Sequence, residues 1–249
     1  MSPLISAEML KLRTTRTGLS LIGAVVGIVV LISLLATLAG DPPKSAHDAR
    51  DLLGIASFAQ PFALVLGLLA VTTEFRHGTI TPTLIVAPDS VRLVLAKLVA
   101  HVFAGLLLGI LASGLCTLIV QLVASGRGGA TLPGSDVANI VLGQALATAL
   151  WAALGVGLGA LVRNQVGAIV GALGWTFLGE NLLGIVPAGI GKAIQKYGTG
   201  GASTALAGGT GGPDGHLLGQ VPGGLLMLGY AAVFVVLGIV AMRRRDITQ

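Results

Sequence analysis

Residues of chemical character are few in this sequence and fall in three places. The densest reads Glu74-Phe75-Arg76-His77-Gly78-Thr79 and runs on through Thr81-Pro82, Leu84-Ile85, Pro88-Asp89-Ser90 and Arg92. Here Glu74 and Arg76 flank a short, mostly apolar stretch. The second place is Lys97 with His101, four residues apart and so on one face of a helix. The third is Glu180, an acid set beside an apolar run. An ionisable group inside or next to a membrane span is costly to place, which makes His101 and Glu180 candidates for a pathway or gate. The plainer alternatives are a helix-packing hydrogen bond for His101 and a solvated helix end for Glu180.

Other motifs fail on inspection. Gly191-Lys192 invites a phosphate-loop reading, but the positions that would hold the first Gly and the Ser/Thr hold Val186 and Ala193. The sequence contains no HExxH, no GxSxG and no Cys/His cluster spaced for zinc. Its one cysteine, Cys116, can form no internal disulfide and reads as a small core residue. The expectation is a protein that is not an enzyme, with no catalytic residue, cofactor or metal and no nucleic-acid partner.

The elements that must position these groups follow from composition. The chain has 249 residues, 54% of them hydrophobic and only 10% charged, with a mean hydropathy of +0.92. Soluble domains carry about 25% charged residues. A water-soluble core cannot hide this much apolar surface in so short a chain. Crossing the hydrocarbon core takes about 20 mostly apolar residues. Six such spans are expected, at 19–39, 54–73, 93–124, 137–162, 165–186 and 223–242. The expected fold is all-α: one polytopic transmembrane domain covering the whole chain. The first span is too long for a signal-peptide core and reads as a retained helix.

Orientation follows from Lys and Arg. Ten (Lys11, Arg13, Arg16, Arg76, Arg92, Lys97, Arg163 and Arg243 to Arg245) fall on one side, and Lys44, Arg50, Arg127, Lys192 and Lys196 on the other. The positive-inside rule puts the first side, and both termini, in the cytoplasm of a cell with this plasma-membrane protein. A five-span count would strand the Arg243 to Arg245 cluster outside. Residues 2–17 are expected to form an amphipathic helix capped by Ser6, with Met9, Leu10 and Leu12 on one side. Loop 40–53 reads as polar and external. In loop 74–92, Thr81-Pro82 starts a short helix and Pro88 ends it. Asp89 or Ser90 then caps a third helix about 51 Å long at 1.5 Å per residue, which exceeds a core of about 30 Å. Arg92 and Lys97 are therefore expected in the headgroups or beyond. A two-turn apolar helix on that face needs a groove or lipid to cover it. In the long segment 180–222, residues 181–197 suit a broken re-entrant pair and 198–215, with eight Gly, a flexible stretch. The pairs Gly23/Gly27, Gly105/Gly109, Gly155/Gly159 and Gly167/Gly171 suit close helix contact.

With the basic N-terminus, six spans and the long fifth-to-sixth connection in view, the chain resembles the membrane subunits of ABC-2 type transporters over nearly its whole length. The most specific part is Glu74-Phe75-Arg76-His77-Gly78-Thr79, with Pro88, Arg92 and Lys97 following. The resemblance implies an elbow helix at 2–17, a coupling helix within 78–88 and re-entrant helices between spans five and six. It implies a separate cytosolic ATP-binding subunit as partner, and a second copy of the chain or a sister permease beside it in the lipid. It places Glu74, Phe75, Arg76, Gly78, Thr79, Leu84 and Ile85 at the ATPase contact. Export of a hydrophobic or amphipathic compound (a drug, a peptide antibiotic or a lipid) fits the nearly uncharged spans. Two alternatives stay open at this point: an ATP-independent transporter or channel, and a membrane scaffold that recruits a cytosolic ATPase.

Overall fold

The computed structural model describes residues 1–79, 89–162, 164–186, 189–209 and 217–246, with Arg245 and Asp246 described by backbone alone. Every regular element among them is helical. In chain order they are α1 (Ser2–Thr14), α2 (Arg16–Ala39), α3 (Ala46–Leu53), a 3-10 stretch (Gly54–Phe58) leading into α4 (Ala59–Arg76), α5 (Ser90–Gly126), α6 (Gly134–Leu161), α7 (Gln165–Gly174), a π turn (Trp175–Gly179), α8 (Glu180–Gly184), α9 (Ile190–Tyr197), α10 (Thr199–Leu206) and α11 (Gln220–Asp246). Six segments are long and apolar enough to cross a membrane, and they coincide with the six expected spans. This is the architecture of a multi-pass membrane protein.

Helix α6 is the hub. It packs along α4, α5 and α11, and most of its spanning window is buried. Glycine makes this possible by removing the Cβ. A Cβ on Gly155 would sit 2.1 Å from the Leu64 carbonyl oxygen, and one on Gly67 would sit 2.1 Å from that of Ala152. The α4 and α6 backbones therefore touch directly, which in lipid replaces the hydrophobic drive with van der Waals contact. Of the expected small-residue pairs, Gly105/Gly109 and Gly155/Gly159 lie at such contacts. Gly23, Gly27 and Gly171 have open space at the Cβ position, and Gly167 meets only its own cap, Asn164. Two polar contacts within the bundle add to this. Gln60 donates to Gln144 across α4 and α6 at 3.2 Å, and Ser203 of α10 donates to Gln60 at 3.1 Å. With no water in the core, these groups must satisfy one another.

Several expectations need correction. Ser6 is not a cap: α1 starts at Ser2, and the Ser6 hydroxyl donates to the Ser2 carbonyl one turn back. Loop 40–53 is largely helix, because Ser45 and Asp48 form a reciprocal capping box that starts α3. The helix ends near Gly40 and Gly134 are pinned. Arg127 donates to the Thr37, Leu38 and Gly40 carbonyls at the end of α2, and Arg50 pairs with Asp136. The fifth span is not one straight helix. A π turn at Trp175–Gly179 interrupts it. Eight of the eighteen residues expected to be flexible form α10, whose Ala202, Ser203, Ala205 and Leu206 are buried against α11 and α6. Small residues let it pack closely, so the Gly and Ala content serves contact there. Asp89 does cap α5, accepting from the Val91 and Arg92 amides.

Candidate functional site

The charged groups converge where α1, the end of α4 and the start of α5 meet. Lys97 of α5 donates to Glu74 Oε1 at 2.6 Å and to Glu8 Oε1 at 3.0 Å. Lys11 of α1 donates to the same two oxygens, each at 2.8 Å. Two ammonium groups and two carboxylates thus alternate in a closed, neutral ring. Lys97 is 1% exposed, Glu8 4% and Glu74 7%, while Lys11 is exposed and forms the outer member. A buried charge is tolerable only when paired and hydrogen-bonded, and each buried member here has two opposite charges in contact. The ring fastens the N-terminal helix to both ends of the chain that bracket residues 77–89.

The ring tunes its own members. Burial pushes the Glu8 carboxyl up, but Lys97 and Lys11 beside it outweigh burial and hold it below the ordinary 4.5. Burial likewise pushes Lys11 down, and its hydrogen bonds to Glu74 and Glu8 overcome this and raise it above the ordinary 10.5. Glu74 also stands in the last turn of α4, where the helix dipole disfavours an anion. The ring cations offset that cost.

The motif around Glu74 resolves into separate jobs. Phe75 packs with Val71, Val94, Val156 and Met242 in a small core where α4, α5, α6 and α11 meet. Arg76 is exposed, outside the ring, and no ion pair is found for it among the described residues. Gly78 has φ of +67° and ends α4. The Thr79 amide donates to the Glu74 carbonyl at 3.0 Å and the Gly78 amide to the Phe75 carbonyl at 3.3 Å, the paired bonds of a Schellman cap. So the Gly-Thr pair stops the helix directly below the ring. Leu84 and Ile85, together with the helix expected between Thr81 and Pro88, lie outside the described residues.

Lys97 departs from expectation. Arg92 does stand exposed, paired with Asp89 at 3.0 Å, but Lys97 turns into the protein instead of reaching for headgroups. Its partners Glu8 and Lys11 were not singled out from the sequence. Their i, i+3 spacing on a helix with Glu on the N-terminal side is a usable signal for a pair, but nothing local points to residues 74 and 97. Glu8, not Leu10, faces inward on α1: Glu8 is buried and Leu10 is exposed.

His101 and Glu180 are not part of the ring. His101 is buried one turn along α5, its Nδ1 2.9 Å from the Lys97 carbonyl oxygen of its own helix. Glu180 lies toward the other end of the bundle, and it is not solvated. Its carboxylate is 8% exposed and accepts from the Thr199 amide at 2.7 Å, the Gly200 amide at 2.8 Å and the Thr199 hydroxyl. It caps the N-terminus of α10 from a neighbouring helix, a favourable position for an anion.

The fold and these sites define an all-helical, multi-pass membrane protein with a buried ion ring at one end. Among the described residues no group of His, Cys, Asp and Glu is arranged to hold a metal. Neither the protein-family models nor the curated proteins match this chain.

Proposed function

We propose that this chain is the membrane subunit of an ABC-2 type transporter, coupled to a separate cytosolic ATPase and exporting a hydrophobic or amphipathic compound. The observation that carries the reading is the Glu8–Lys11–Glu74–Lys97 ring. A loop that transmits force must be rooted in something stiff. The ring ties the chain on both sides of residues 77–89 to the N-terminal helix, so displacement of that segment moves α4, α5 and α1 together. In this reading the charge bias puts both termini and the loop in the cytoplasm of the cell membrane. Helix α1 is the elbow, α8 and α9 dip into the outer leaflet, and Leu84 and Ile85 dock on the ATPase. The chain works beside a second copy or a sister permease and itself breaks no bond. ATP binding shifts the membrane subunits between two states only by its differential affinity for them.

The test is purification of tagged protein from its native membrane under mild detergent. A stoichiometric nucleotide-binding partner, ATP hydrolysis by the complex, and loss of both on Leu84→Asp are expected. A well-folded chain that purifies alone, with no ATPase, refutes the proposal.

A further inference from the structure

The two ends of the bundle use their cations differently. At the end away from the ring the arginines are spent inside the protein: Arg50 on Asp136, and Arg127 on the carbonyls that close α2. At the ring end both lysines, Lys11 and Lys97, are spent on Glu8 and Glu74, and Arg92 has Asp89. Four exposed arginines there, Arg13, Arg16, Arg243 and Arg244, have no ion pair among the described residues. Met242 shares a small core with Phe75, which puts Arg243 and Arg244 at the ring end with the α1–α2 corner.

Their placement is specific. On α11, Val233, Val236 and Val240 point outward three or four residues apart, and Arg243 and Arg244 are the next positions of that row. On α2, Arg16 stands one turn before an exposed row of every fourth residue, Leu19, Gly23, Gly27, Leu31 and Leu35. Arg13 follows the exposed Leu10 by one turn of α1. In a multi-pass membrane protein such rows face acyl chains. The guanidiniums that continue them therefore stand where hydrocarbon gives way to headgroups.

We infer that this end of the protein binds acidic phospholipids, with Arg13 and Arg16 gripping phosphate on one side and Arg243 and Arg244 on another. The planar guanidinium fork matches a phosphate in shape as well as charge. A lipid of net negative charge supplies the counter-charge that the described acids do not, whereas a zwitterionic lipid brings its own cation. A protein surface is the poorer match, because the arginines are divided among helix ends and each borders a lipid-facing row. The inference rests on the membrane character of the chain and not on the transport reading.

The test uses the purified chain alone, in detergent micelles holding equimolar phosphatidylglycerol and phosphatidylcholine, with retained lipids counted by native mass spectrometry. Retained phosphatidylglycerol should outnumber phosphatidylcholine about fivefold, the worth of one arginine at a lipid surface. The ratio should fall toward one as salt rises from about 0.1 M to about 1 M, because screening shortens from about 10 Å to about 3 Å. Arg13→Gln, Arg16→Gln, Arg243→Gln and Arg244→Gln together should abolish the preference. Lys192→Gln with Lys196→Gln, at the other end, should leave it unchanged. If the variant carrying all four elutes as unfolded protein, the α1–α2 pair and the α11 pair are read separately, and each should remove part of the preference. Equal retention of the two lipids, or a preference that survives all four substitutions, overturns the inference. A preference lost with Lys192 and Lys196 instead also overturns it, by placing the lipid at the wrong end. Equal lipid retention together with a soluble partner that the four substitutions release assigns these arginines to a protein surface and overturns it as well.

Discussion

Replacing Lys97 with Met tests the ring most directly. Met keeps the length of the side chain and removes the ammonium, leaving Glu8 and Glu74 buried with only the half-exposed Lys11 to serve both. Breaking a buried ion pair typically costs about 3–5 kcal/mol. Here there is an escape, because one carboxylate can take a proton. From the ordinary Glu value of 4.5, holding that proton costs about 3.4 kcal/mol at pH 7 and about 0.7 kcal/mol at pH 5. The charge part of the penalty can be no larger than this. At roughly 2–4 °C per kcal/mol for a chain of this length, Lys97→Met should lower Tm by about 7–14 °C at pH 7 and about 1–3 °C at pH 5. The assay is a thermal melt in detergent at both pH values, followed by tryptophan emission. Adding Glu8→Gln to Lys97→Met removes the surplus negative charge and should recover most of the loss at pH 7. A Tm loss equal at the two pH values, or no recovery in the double variant, would refute charge compensation as the reason the ring exists.

Other expectations are more local. The wild-type ring should hold across a wide pH range. The depressed Glu8 contributes stability above 4.5 that is lost only as pH falls through its lower folded value, and the raised Lys11 contributes below 10.5 and is lost as pH rises through its higher one. Melts from acid to alkali should therefore be flat between those limits, and Lys11→Ala should remove the alkaline drop. Gly78→Ala forces a Cβ into φ of +67° and should cost about 1–2 kcal/mol. Hydrogen exchange at the Thr79 amide should quicken, and unchanged protection would show that the Schellman cap is not formed. Glu180→Gln should cost about 1–2 kcal/mol and speed exchange at the Thr199 and Gly200 amides, leaving the Lys97 end untouched. Gly155→Val should abolish folded yield because the new Cβ meets the Leu64 carbonyl, whereas Gly23→Val should be silent. Equal yields of the two would mean that α4 and α6 do not pack this closely.

Much of the architecture is legible before any coordinates. Six spans follow from hydropathy, because the bilayer imposes a length and an apolar composition on each segment by itself. Caps are equally local: Asp89 before α5 acts on amides two and three residues away. The Glu74 to Thr79 stretch stands out in the sequence, but the separate contacts of its residues do not. Which neighbour covers Phe75, and whether Arg76 has a partner, depend on helices far along the chain. Loop 40–53 and the stretch after 198 looked irregular because polar and small residues dominate them. A capping box and close packing on α11 turned them into helix.

What the sequence by itself determined is therefore the set of terms that act within one segment: where a helix must cross the bilayer, where it stops, and which side carries the positive charge. Tertiary structure alone decided the pairing. Lys97 looked like a headgroup lysine, and it became the most buried charge among the described residues because Glu8, 89 residues earlier, and Glu74 meet it in the fold. Glu180 looked like a solvated helix end until α10 presented its amides to it. The physical reason is the same in both cases. The cost of burying a charge is a property of the residue, but the compensation comes from groups that only the folded chain brings within 3 Å.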